Sequence, residues 1–126
     1  MSEKTLHRAV CDYLRMAYPN VLFNSDLAGA TKLTIGQAVA LKSLRSSRGV
    51  PDLFIMEPRS GYHGMFIELK AEGTKLFKKN GEPVSDHIAE QIEFIDKLMK
   101  RGYLAVFGIG FEKTKILIDR YLKSVL

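Results

Sequence analysis

Two carboxylates and an ammonium group fall close together in RGVPDLFIMEPRSGYHGMFIELKAEG, residues 48–73. Asp52 follows Pro51, 15 residues separate it from Glu68, and Lys70 stands two positions further on. Both acids lie in stretches of strand composition, DLFIM (52–56) and GMFIEL (64–69), joined by the turn-rich EPRSGYH. Strand alternation turns Met65, Ile67 and Leu69 to one face and Phe66, Glu68 and Lys70 to the other. Phe66 marks that second face as partly buried. A lone E-x-K is ordinarily an ion pair on a solvated edge, and an Asp after Pro can simply accept a backbone N–H at a strand start. Together the residues ask for more. An antiparallel hairpin brings the two acids to neighbouring positions, where like charges repel. A divalent cation resolves the conflict, and Mg²⁺ takes carboxylate and backbone oxygens plus waters. An adjacent lysine can stabilise developing negative charge or orient a water. That set suits phosphodiester hydrolysis.

The elements that must position these residues are legible along the chain. Ser2 caps a helix to about Tyr18, with Leu6, Val10, Leu14 and Ala17 at helical spacing. VLFNS (21–25) is a short strand and DLAGATK a loop. Thr34 and Gln37 form a capping-box pair at the start of a helix over 34–45. After the hairpin, residues 70–86 have the composition of a mobile loop. Ser85 or Asp86 then caps a helix striped by Ile88, Ile92, Ile95 and Leu98 or Met99, which Gly102 ends. YLAVFGI (103–109) has the apolar run of a strand buried on both faces, and a last helix follows. The expected order is α, β, α, β, β, α, β, α: one α/β domain over 1–126, a small mixed sheet flanked by helices.

These residues resemble a known family. Pro51-Asp52 followed by Glu68-Leu69-Lys70 is similar to the PD-(D/E)xK nuclease motif. RGVPDLFI, FIELKAEG, Gln91 eleven residues before Gly102-Tyr103, and GYLAVFGIG resemble the VRR-NUC family within that superfamily, and the stretch before Pro51 is similar to stand-alone, phage-type members. The resemblance implies a restriction-endonuclease-like fold and a metal-dependent DNA endonuclease, acting on branched DNA such as four-way junctions in a bacterial or phage-infected cell. It implies that Asp52 and Glu68 bind Mg²⁺ or Mn²⁺ with the Leu69 carbonyl, that Lys70 is catalytic, that Glu3 completes the metal site and that Gln91 faces it. The alternative for a first-turn Glu3 is complementing the helix dipole, and for Gln91 an ordinary helix surface. Many members carry Ser three residues before this Gln; here that position is Ile88.

The formal charge of +5 and a pI near 9.4 favour a polyanionic partner. Lys32, Lys42, Arg45, Arg48, Lys75, Lys78 and Lys79 flank the acids in sequence and form the expected DNA-binding set, reading phosphates rather than bases. Cys11 is the only cysteine, so no internal disulfide forms, as suits a cytoplasmic protein. No signal peptide or membrane-length apolar run is evident. The scattered histidines show no zinc spacing, His87 and Glu90 suit a solvated helix start, and GIG (108–110) lacks the context of a dinucleotide site. A single site in so small a chain implies a homodimer, since a junction needs two opposed nicks. Phe107, Ile109, Phe111 and Tyr121 either supply apolar surface for it or complete the core.

Overall fold

The computed structural model describes residues 1–26, 33–44, 46 and 49–126. Its elements follow the expected order: α1 (Glu3–Ala17), β1 (Phe23–Ser25), α2 (Ile35–Lys42), β2 (Leu53–Ile55), β3 (Met65–Lys70), α3 (Asp86–Lys100), β4 (Leu104–Ile109) and α4 (Phe111–Leu122). α1, α2 and α3 start where side-chain caps satisfy free N–H groups, whereas α4 starts after Gly110 without one. Ser2 Oγ accepts from Thr5 N–H, Ser85 Oγ from Ile88 N–H, and Thr34 and Gln37 form a reciprocal capping box.

The sheet order is β1-β2-β3-β4, antiparallel except for the parallel β3/β4 pair, which α3 connects. Leu53, Ile55, Met65, Ile67 and Leu69 turn to one face and bury completely against Leu6, Val10 and Leu14 of α1 and Ile118 and Tyr121 of α4. The other face carries Phe54 stacked on Phe66, with ring centres 4.1 Å apart, and is covered by α3. At the far ends of the chain α1 and α4 are clamped together. Tyr13 Oη–H and Tyr18 Oη–H both donate to Oδ1 of Asp119, the second at 2.7 Å.

Three expectations change. Residues 70–86 are a hydrogen-bonded ribbon: Val84 N–H donates to Leu76 O, Lys78 N–H to Glu82 O, and Phe77 bridges Pro83. Its polar composition reflects backbone turns rather than lack of structure. β4 is an edge strand, and only Ala105 and Gly108 of it are buried, so its apolar run reflects helices on both faces with one side open. α2 ends at Lys42 and buries none of its side chains. Among the described residues no helix is long and apolar enough to cross a membrane.

Candidate active site

The β2/β3 register builds the centre of the site. Leu53 pairs with Ile67, so the next step brings Asp52 opposite Glu68, on the same face of the sheet. Asp52 is fixed from both sides: its Oδ2 accepts from Leu69 N–H at 3.0 Å, and its carbonyl accepts from Asp26 N–H at 2.6 Å. Gly49, just upstream, adopts φ +89°, and a Cβ there would sit 2.7 Å from Glu90 O. Only glycine lets the chain pass this close to α3 on its way to Asp52.

Glu68 is 4% exposed. Its Oε1 accepts from Gln91 Nε2–H at 2.7 Å and lies 3.7 Å from Lys70 Nζ. Its Oε2 is buried and has no hydrogen-bond partner, as is Gln91 Oε1. Burial, and then the charge of Asp52, push the Glu68 carboxyl up to about 9; Lys70 pulls the other way. The site therefore holds more negative charge than it can keep ionised by itself.

Asp52, Glu68, Lys70 and Gln91 open on a cavity of about 100 Å³, whose wall also includes Glu3 from α1 and His87 from α3. That is room for several waters, since one needs on the order of 10–15 Å³ of such space. Asp26 at the end of β1 is a fourth acid in the wall. Lys42, Lys75, Lys78 and Lys79 are exposed and stand outside this cavity wall. Lys32, Arg45 and Arg48 lie outside the described residues.

Two histidines belong to the site although the sequence offered weak signals for them. His7 is 1% exposed on α1. Its Nδ1 lies 2.9 Å from Ser25 Oγ, and its Nε2 stands behind Asp52, 3.6 Å from Oδ2, buried and without a hydrogen bond among the described residues. Its spacing of four from Glu3 puts both on one helix face, the one available clue. His87 is exposed at the solvated start of α3, as expected, and also lines the cavity, with Nε2 3.2 Å from Gln91 Nε2. It too sits four residues from its partner.

The donor set fits a hard divalent cation. Two facing carboxylates, one with an unpartnered buried oxygen, supply the charge. In a strand the N–H and C=O of one residue point to the same side, so the Leu69 carbonyl opens toward the Asp52 side that its N–H already bonds. Among the described residues no three His, Cys, Asp or Glu side chains form a ready metal cage. A small cation that keeps several waters needs only one or two carboxylates.

The model of the VRR-NUC domain family matches residues 23–107, well over half of the chain. The chain belongs to the VRR-NUC domain family. This gives it a nuclease-type domain. The matched VRR-NUC stretch holds Asp52, Glu68, Lys70 and Gln91, whereas Glu3 and His7 come from α1, before it. A solved structure titled "VRR_NUC domain protein" superimposes with a TM-score of 0.69 at 24% identity, over 98% of this chain and 89% of that one. At that identity the likeness is one of fold: a four-stranded sheet flanked by helices, α1 included. No curated protein matches the chain.

Proposed function

We propose that this VRR-NUC protein is a metal-dependent endodeoxyribonuclease of the PD-(D/E)xK type, selective for DNA structure, with four-way junctions as its substrate. The observation that carries the reading is the opposition of Asp52 and Glu68 across the β2/β3 register, beside Lys70, around one small polar cavity. Asp52, Glu68 and the Leu69 carbonyl would hold Mg²⁺ or Mn²⁺, with Glu3 at the outer edge. When bound, the cation supplies positive charge at the scissile phosphate and lowers the pKa of a coordinated water.

This chain's own groups do the rest. Gln91 orients Glu68 by donating to its Oε1, while the buried Oε2 keeps its lone pairs for a ligand. The Leu69 N–H holds Asp52 in place, with the His7 ring standing 3.6 Å behind it. Lys70, 8% exposed and 3.7 Å from Glu68, keeps an ammonium beside the reacting phosphate, where it stabilises negative charge in the transition state. Lys42 and the exposed Lys75, Lys78 and Lys79 on the 70–86 ribbon would meet more distant phosphates.

Paired nicking of a junction needs two sites, hence a homodimer in the DNA-containing cytoplasm. Its interface is assigned to α2. Tyr121 is fully buried and Phe111 packs against the chain's own core, so neither is free for a partner. On α2, by contrast, Ile35 and Val39 are 87% and 62% exposed and four residues apart. A flap or nick nuclease, and a non-cutting DNA-binding module, are the alternatives. Incubating the protein with labelled four-way, flap, splayed and linear DNA, with Mg²⁺, Mn²⁺ or EDTA, tests the reading. Preferential paired cutting of the junction supports it; cutting of flaps alone replaces it, and cutting of nothing leaves the binding module.

A further inference from the structure

We infer that the cleft between α1 and β1 binds the sugar-phosphate backbone of the nucleic-acid strand leading to the acids, with Lys4, Arg8 and Arg15 as its phosphate contacts. The inference rests on the nuclease reading above and adds the path of the strand. These three cations line a cavity of about 390 Å³ that β1 closes on its far side through Phe23 and Ser25. Their spacing puts them along one helical face over a rise of about 16 Å. A row of that length suits a polyanion better than a single phosphate. His7 is also in the wall of this cleft, and its Nε2 lies 3.6 Å from Asp52 Oδ2. His7 lines only the cationic cleft, but it stands between that cleft and Asp52 of the acidic cavity.

The cations are available. Among the described residues neither Lys4 nor Arg8 has an acidic partner. Among the described residues the one acid paired with Arg15 is Asp12, at 3.5 Å, with both side chains about two-thirds exposed, a weak and solvated pairing. Its guanidinium carbon lies 5.8 Å from the Phe23 ring centre, which sets it against the β1 wall. Lys4 stands in the first turn of α1, where the helix dipole disfavours a cation. An anionic ligand would relieve that disadvantage. Beside four acids that repel a phosphodiester, Lys4, Arg8 and Arg15, offset only by Asp12 in the cleft wall, also give the approaching strand its compensating charge.

The test is the salt dependence of DNA binding. A fluorescein-labelled oligonucleotide, as duplex and as single strand, is titrated by anisotropy in EDTA with wild type and with Lys4→Ala/Arg8→Ala. A control, Lys97→Ala/Lys100→Ala, removes the same formal charge from α3, where those lysines pair with Glu93 and Asp96. Losing two phosphate contacts should flatten the slope of log affinity against log salt by about 1.8 for duplex or about 1.4 for single strand. The control should keep the wild-type slope, and all three proteins should share one melting temperature. An unchanged slope in Lys4→Ala/Arg8→Ala, or an equal drop in the control, overturns the cleft assignment while a wild type that still cuts DNA keeps the nuclease reading. A wild type that neither binds nor cuts DNA overturns both.

Discussion

Replacing Glu68 by Gln should make the metal-free protein more stable at neutral and alkaline pH. The wild-type Glu68 carboxyl is raised from 4.5 to about 9 by burial and by Asp52. Between those values the folded chain keeps a proton that the unfolded chain has released, so stability is fullest below 4.5 and falls as pH rises toward 9. The slope approaches about 1.4 kcal/mol per pH unit, or roughly 3 kcal/mol between about pH 6 and pH 8. Gln has no proton to lose and can still accept from Gln91 through its carbonyl oxygen, so the Glu68→Gln protein lacks this slope. Urea unfolding in EDTA, followed by circular dichroism across this pH range, gives the difference between the two proteins; titrating groups remote from the site cancel in it. Saturating Mg²⁺ should restore the wild type at high pH, because binding favours the ionised carboxylates. Parallel stability curves for wild type and variant from pH 5 to 9 would refute the strained carboxylate pair.

Other substitutions probe the remaining parts of the account. Asp119→Ala leaves two tyrosine hydroxyls without their shared acceptor and should lower the free energy of unfolding by about 1–3 kcal/mol, measured by urea denaturation. His7→Ala removes the buried ring that stands 3.6 Å behind Asp52 and should weaken Mn²⁺ binding by roughly 10–100-fold in calorimetry, with His7→Gln recovering part of the loss. Val39→Glu places a charge on the exposed face of α2 and should reduce the sedimenting mass to that of one 14.2 kDa chain without changing the melting temperature.

Much of the fold was legible because its signals are local. The capping box at Thr34 and Gln37, the hairpin between β2 and β3 and the stripe of α3 each depend on residues a few positions apart. The opposition of Asp52 and Glu68 follows from the hairpin once its register is known. What the sequence hid is tertiary. His7 sits between Leu6 and Val10, in a pattern indistinguishable from a helix core, and acquires meaning only when Ser25 and Asp52 arrive beside it. Proximity in sequence singles out the cations around the acids, yet Lys4 and Arg8 of α1 share a cleft wall with His7. The assignment of Tyr121 to the interior rests on its donation to the Glu57 carbonyl, 64 residues away.

The central claim, that Asp52 and Glu68 form a cation-dependent phosphodiester-cleaving site, is tested most directly by one comparison. Wild type and Asp52→Asn are incubated with the best-cut labelled DNA, in Mg²⁺ and in EDTA, and initial rates are measured alongside binding. Asn keeps the shape and can still accept the Leu69 N–H, but lacks the charge. The account predicts cutting by wild type in Mg²⁺ only, a loss on the order of a thousandfold in Asp52→Asn, and DNA binding in the variant at least as tight as in wild type. Equal rates for the two proteins, or cutting that persists in EDTA, would contradict it.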